Sequence, residues 1–187
     1  MKKVVITLFA AILAINLSAQ EFTDGDLVIN AGAGFGWYSY GYGATSFPAI
    51  SVSMEKGIKE FDFGTLAVGG IVGFKHASYG WQTGYDFSWT DYIVAARGAL
   101  HIDLLDVENL DTYGGVALGL RFESYKHYDL VGIYPNYEYD KVTTSTAHPL
   151  FAVYAGGRYY FADKFAGFAE LGYGLGYFTI GLSYKLN

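Results

Sequence analysis

The stretch LVINAGAGFGW, residues 27–37, alternates between bulky apolar side chains and small or polar ones. Successive side chains of a β-strand point to opposite faces, so the alternation puts Leu27, Ile29 and Phe35 on one face and the glycines on the other. The stretch therefore predicts a strand with one apolar face and one face of small side chains.

The same period-two pattern recurs along the rest of the chain. It predicts further strands over residues 50–55, 65–75, 92–102, 115–123, 151–161, 168–173 and 178–186. With the first stretch this makes eight strands, and crossings of about 10 residues suit strands that span a membrane. The predicted fold class is all-β, an eight-stranded antiparallel up-and-down transmembrane β-barrel.

The predicted connections differ in length. Residues 57–61 and 162–164 make short turns, and residues 103–111 make a connection of intermediate length. Three long, aromatic connections are expected over residues 38–47, 78–86 and 125–146. Short turns at one rim and long loops at the other are typical of outer-membrane barrels, whose long loops lie outside the cell.

Composition favours the membrane over water. Charged residues make up 16% of the 187 residues and aromatic residues 19%, with 25 glycines, whereas roughly 25% charged residues are usual in a soluble domain. In a soluble lipocalin-type barrel the polar face would be the wet exterior and dense in charge, but here it is mostly Gly, Ala, Ser and Thr. Such a face fits the narrow interior of an eight-stranded barrel, which leaves the bulky face for lipid.

Charge and cysteine content exclude other classes. The net charge is −6 and the chain has no cysteine. Nucleic-acid binding is excluded because it requires clustered Lys and Arg, and disulfides and thiolate metal sites are excluded by the absence of Cys.

The first residues have the layout of a secretory signal peptide. Met1-Lys2-Lys3 is positively charged, Val4–Leu17 is apolar, and Leu17-Ser18-Ala19 ends in small residues. We expect residues 1–19 to be a cleaved signal peptide and residues 20–187 to be the barrel domain. The protein is therefore expected in the outer membrane of a Gram-negative bacterium, with outer-membrane lipid as one partner.

Charged residues recur on the face that the alternation turns inward. They are Glu55, Lys75, Arg97, His101, Arg121, Glu123, Arg158, Glu170 and Lys185. Buried charges are costly unless paired, so we expect the arginines to pair with the glutamates and to close the lumen. The alternative is that these residues line a narrow solute channel.

Aromatic residues crowd the predicted outer loops. They are Tyr79, Trp81, Tyr125, Tyr128, Tyr134, Tyr137 and Tyr139. Aromatic side chains are favoured in recognition surfaces, which predicts adhesion to an extracellular protein or glycan. The alternative is that those nearest the strands form the interfacial girdle of the barrel.

No catalytic, metal or cofactor motif is found, and the protein is predicted not to be an enzyme. A lipid-hydrolysing alternative would combine Ser124 or Ser145 with His127 or His148 and Glu123. The four histidines lack the spacing of metal ligands. The acidic connection 103–111 lacks a calcium-loop pattern, so a solvated turn is expected, although an ion site there stays open.

The chain resembles the small outer-membrane β-barrel proteins of Gram-negative bacteria, such as the barrel of outer membrane protein A and its shorter relatives. The resemblance covers residues 24–187. It rests on the signal peptide, the glycine-alternating stretch 30–37, the stretch Asn109–Val116, and the ending from Glu170 to Leu186. It implies a lipid-embedded barrel with a structural or surface-recognition role.

Overall fold

The computed structural model describes residues 22–36, 45–80, 86–105, 107–133, 136–173 and 176–187. The strands in this part are β1 (Leu27–Phe35), β2 (Thr45–Ser46), β3 (Ala49–Phe61), β4 (Gly64–Gly80), β5 (Asp86–His101), β6 (Leu110–Ile133), β7 (Asn136–Ala162), β8 (Phe165–Tyr173) and β9 (Phe178–Lys185). No helix among the described residues is long and apolar enough to cross a bilayer. The predicted signal peptide, residues 1–19, lies outside the described residues.

Eight of these strands close into a ring. The order is β4-β3-β1-β9-β8-β7-β6-β5, and β5 pairs with β4 to complete it, while the short β2 pairs with the far end of β4. Every pair is antiparallel, and the first long strand meets the last through Val28↔Lys185 to Phe35↔Phe178. The fold is the predicted eight-stranded up-and-down barrel.

The two faces of the wall are as the alternation predicts. Bulky side chains such as Leu118 and Leu171 point outward and are 61% and 65% exposed, whereas Ala117, next to Leu118, is buried. Some inward positions admit only glycine because neighbouring backbones approach closely. A Cβ on Gly119 would lie 2.1 Å from the carbonyl oxygen of Val94.

The predicted long connection at residues 125–146 is wrong. β6 and β7 continue past the other strands as a paired hairpin, from Lys126↔Thr143 to Ile133↔Asn136. β7 pairs with β8 only from Val153 onward. The alternation of apolar with small residues stops after Phe122 and resumes at Phe151, so it gave no sign of the paired segment between them.

Two smaller predictions also need correction. Residues 57–61 belong to β3, with a shift of register between Gly57 and Lys59, so the turn lies at residues 62–63. Of the predicted loop aromatics, those that the structure describes lie in strands: Tyr79, Tyr125, Tyr128, Tyr137 and Tyr139. We call the end of the barrel with the turns at residues 62–63 and 163–164 the short-turn rim, and the end from which the β6–β7 hairpin extends the hairpin rim.

Candidate functional site

A cluster of charged side chains lies in the lumen, and Arg97 of β5 contacts two of its carboxylates. Its Nη2 lies 2.7 Å from Glu170 Oε1 and 3.3 Å from Glu55 Oε1. Its Nε donates a hydrogen bond to the hydroxyl of Tyr154 at 3.1 Å, and its guanidinium lies 4.0 Å from the centre of the Tyr154 ring. The hydroxyl of Tyr113 donates to Glu170 at 3.0 Å.

Arg158 of β7 forms a second node beside the first. Its Nη1 lies 2.8 Å from Asp111 Oδ2, and its Nη2 lies 3.4 Å from Glu55 Oε2. Its Nε donates to Ser183 and its Nη2 also donates to Asn30. All three nitrogens of a fully buried guanidinium are therefore bound, which is the condition for tolerating such a charge.

His101 connects the same carboxylates. Its Nδ1 lies 2.7 Å from Asp111 Oδ1 and its Nε2 lies 3.4 Å from Glu55 Oε2. Nδ1 is within hydrogen-bond distance of Asp111, while Nε2 and Glu55 are close enough to form an ion pair if the imidazole is protonated. With His101 protonated, two arginines and one imidazolium balance Glu55, Asp111 and Glu170 in charge.

A second charged group lies nearer the hairpin rim. Arg121 Nε lies 2.8 Å from Asp91 Oδ1, and Arg121 also binds Glu123. Lys75 is buried and stands opposite Asp91 in the register of β4 and β5. At the short-turn rim, Lys185 Nζ lies 2.7 Å from Asp26.

The structure thus divides the nine charged residues of the sequence analysis into three places. Glu55, Arg97, His101, Arg158 and Glu170 form one cluster, Lys75, Arg121 and Glu123 lie in the second group, and Lys185 stands at the short-turn rim. Five partners of these residues were not predicted from the alternation. They are Asp26, Asp91, Asp111, Tyr113 and Tyr154.

Beside Arg97 the lumen holds a small cavity. It has a volume of about 20 Å³ and lies among Asn30, Ser53, Arg97 and Glu170, which is room for about one water molecule. The charged side chains of the first cluster therefore pack closely at this level of the lumen.

The aromatic residues of the hairpin rim are only partly described. Trp89 stacks on Tyr125 with ring centres 5.1 Å apart, and Tyr125 stacks on His127 at 4.9 Å. Trp81 and Tyr134 lie outside the described residues, as do the side chains of Tyr137 and Tyr139. Tyr79 and Tyr128 are partly exposed on β4 and β6.

The residues of the hydrolase alternative do not converge. Ser124 and Ser145 stand opposite each other on one face of the β6–β7 pair, while Glu123 and His148 occupy the other face by alternation. His127 shares the face of Glu123.

The acidic residues of the connection 103–111 do not all lie together. Asp111 is the second residue of β6 and its side chain points into the lumen, where it pairs with Arg158. Among the described residues no three His, Asp or Glu side chains group as metal ligands.

No protein-family model and no curated protein matches the chain. Among solved structures it is similar to Ail, the attachment invasion locus protein of Yersinia pestis, in complex with the heparin analogue sucrose octasulfate, at 16% identity over 88% of this chain and 100% of that chain, with a TM-score of 0.49. A structure of Ail in a phospholipid bilayer nanodisc matches at 18% identity over 87% and 100% of the two chains, with a TM-score of 0.41. The N-terminal β-barrel domain of Pseudomonas aeruginosa OprF matches at 14% identity over 87% and 98%, with a TM-score of 0.40.

Proposed function

We propose that the protein is a lipid-embedded barrel of the outer membrane of a Gram-negative bacterium, with a surface-recognition role carried by its long hairpin. The outer wall of the barrel supports the membrane location. Its outward side chains are apolar and exposed, as at Leu118, Leu171 and Leu182, which are 61%, 65% and 62% exposed. A continuous apolar surface of this kind is rare on soluble monomers and requires a covering.

The height of the apolar wall suits a bilayer. On β7, outward residues from Phe151 to Phe161 remain apolar or glycine, which is about 33 Å along a strand and about 25 Å of height at the usual tilt of a membrane barrel. Aromatic pairs stand at both ends of the wall: Phe35 with Phe178, and Phe165 with Tyr184. These pairs fit the two interfacial girdles.

The orientation follows from the rims. Short turns normally face the periplasm and long hairpins the outside. We therefore place the β6–β7 hairpin outside the cell. We also propose that residues 1–19 are removed on export and that residues 20–187 are the barrel domain.

The hairpin supports the recognition role. Residues 143–149 of β7 are exposed, and the inner side of the pair carries the stack of Trp89, Tyr125 and His127. Stacked rings beside hydroxyl and charged groups suit contacts with an extracellular protein or a glycan. Ion pairs within the lumen and the separated serines give no support to transport or hydrolysis as the main role.

Gel migration with and without heating tests the membrane assignment. A barrel folded in detergent should migrate differently before and after boiling, and the folded protein should precipitate when detergent is removed. Recovery of a soluble, folded monomer without detergent would overturn the assignment. Steady openings in a planar bilayer would favour the second candidate, a narrow channel.

Shortening the hairpin tests the recognition role. Glu123 and Thr146 are directly paired, so replacing residues 124–145 by Asn-Gly should close a two-residue turn, remove Tyr125, His127 and the exposed residues 143–145, and leave the barrel intact. The matched control replaces Asp163-Lys164, the turn at the opposite rim, by Asn-Gly. We expect the shortened barrel to fold and to lose attachment to cells or immobilised glycans. Unchanged attachment by the shortened barrel contradicts the role.

A further inference from the structure

Phe22 lies inside the barrel at the short-turn rim, ahead of the first strand. The side chain is 4% exposed. Its ring stacks on the imidazole of His101, with ring centres 3.9 Å apart and planes 18° apart. The guanidinium of Arg158 lies 5.8 Å from the centre of the ring. An aromatic face next to cationic groups is favourable in a site shielded from water.

The walls of this ring site are held without Phe22. The two ring nitrogens of His101 face Asp111 and Glu55, and Arg158 binds the same two carboxylates. The ring of Tyr113 lies 5.1 Å from that of His101. Because barrel side chains fix these walls, the site is preorganised for a planar ring.

A tight turn delivers Phe22 into the site. The Asp26 N–H donates to the Thr23 carbonyl at 3.2 Å, and the Thr23 N–H donates to the Asp26 carboxylate at 2.7 Å. Gly25 has a φ of 89°, a conformation that glycine adopts at little cost. The turn reverses the chain, so that Phe22 enters the lumen while Leu27 begins β1.

The segment is fixed to the rim from three sides. Gly25 N–H donates to the Gly57 carbonyl at 3.1 Å, and Gly57 N–H donates to the Asp26 carbonyl at 2.9 Å. The Asn187 side chain donates to the Gly25 carbonyl at 3.0 Å, and Lys185 pairs with Asp26. We call residues 22–26 the strap.

A pocket of about 350 Å³ adjoins the strap. It is lined by Phe22, Thr23, residues 60–65, residues 101–103 and residues 110–112. Phe22 and His101 both line this pocket, so the ring site is continuous with it.

We propose that the short-turn mouth of the lumen contains a binding site for a single uncharged aromatic ring, and that the strap carries Phe22 as the tethered ligand of this site. With Phe22 in this site, the strap blocks the lumen at the short-turn rim, next to the ion pairs of His101 and Arg158. When the ring is absent, a small aromatic molecule fits the same place. The proposal depends on the barrel geometry and not on the recognition role of the hairpin.

A single introduced thiol reports on the strap, because the chain has no cysteine of its own. Thr65 lines the pocket, is 4% exposed and stands opposite His101. Thr65→Cys in the folded, detergent-solubilised protein should react slowly with a water-soluble maleimide. Adding Phe22→Ala to this variant should raise the rate of the maleimide reaction about tenfold or more, because the buried phenyl ring no longer holds the strap over the pocket. Phe22→Tyr keeps an aromatic ring and should leave the rate low.

Added small molecules then identify the ligand class. Phenol should slow the maleimide reaction of the Phe22→Ala protein, and cyclohexanol, of similar size but not planar, should slow it less. An unchanged rate in Phe22→Ala, or equal protection by the two molecules, would overturn the proposal. Gel migration checks that each variant is folded, so a failure here leaves the membrane assignment standing.

A second variant displaces the strap while keeping Phe22. A Cβ on Gly57 would lie 2.2 Å from the Thr23 carbonyl oxygen, whereas a Cβ on Gly98 has no closer neighbour than 4.0 Å. In the Thr65→Cys protein, Gly57→Ala should therefore raise the rate of the maleimide reaction, and Gly98→Ala should not. In NMR spectra the carbon-bound imidazole protons of His101 should shift when Phe22 is removed or displaced, because the stacked ring no longer shields them. Unshifted His101 signals in both Phe22→Ala and Gly57→Ala contradict the site.

Discussion

Arg158 Nη1 lies 2.8 Å from Asp111 Oδ2 inside the barrel, and neither side chain is more than 4% exposed. Arg158 lies near the end of β7 and Asp111 at the start of β6, where the two residues are directly paired. The other end of the guanidinium reaches Glu55 of β3, across the lumen. One side chain therefore connects strands on opposite sides of the ring.

Removing Arg158 should destabilise the barrel strongly. Arg158→Ala leaves the carboxylates of Asp111 and Glu55 buried with fewer partners, and breaking such a pair costs about 3 to 5 kcal/mol. Urea titration of the protein folded in lipid vesicles, followed by gel migration without heating, gives the free energy of unfolding. Lys126→Ala, an exposed site on β6, is the control and should change it by less than about 0.5 kcal/mol.

A double-mutant cycle with Asp111 separates the pair from general damage. If Arg158 and Asp111 stabilise each other, the losses of unfolding free energy in Arg158→Ala and Asp111→Ala should add up to more than the loss in the double variant, by about 0.5 to 3 kcal/mol. Strictly additive losses would show that the short distance between them contributes nothing.

An arginine on the outer wall should be costly only within the apolar band. Val116 lies halfway between Leu110 and Phe122 on β6 and is 46% exposed. Val116→Arg should cost about 2 to 4 kcal/mol in vesicles if this face meets hydrocarbon. Thr143→Arg, on the hairpin beyond the barrel, should be tolerated. Equal tolerance of the two arginines would contradict a lipid-facing wall.

The faces of the wall could be predicted because alternation is a local property of each strand. Arg97 and Arg158 alternate with apolar neighbours, so their inward position follows from the sequence. Asp91 and Asp111 lie just before the predicted strand starts at 92 and 115. Extending the same period-two pattern from Ile93 and Tyr113 would have placed both carboxylates in the lumen.

Phe22 and the hairpin could not be predicted in this way. The burial of Phe22 depends on a turn and on its contacts with His101 and Arg158, which lie 79 and 136 residues further along the chain. The hairpin has β-forming residues such as Val142, Thr143 and Thr144, but it lacks the alternation of apolar with small residues that marks the wall, so its pattern reads as a loop. Both features depend on tertiary contacts or solvent exposure rather than on alternation.

Two glycines of the wall should respond oppositely to alanine. A Cβ on Gly119 would lie 2.1 Å from the Val94 carbonyl oxygen and 2.5 Å from the Ala95 Cα, so the strands would have to separate. Gly119→Ala should therefore cost about 1 to 3 kcal/mol, the range of an overpacked core. At Gly98 there is room for a methyl group, and Gly98→Ala should stabilise by up to about 1 kcal/mol because a glycine inside a strand is unfavourable. Unfolding in urea from vesicles measures both variants, and similar losses at the two positions would show that close approach of β5 and β6 does not govern the choice of glycine at position 119.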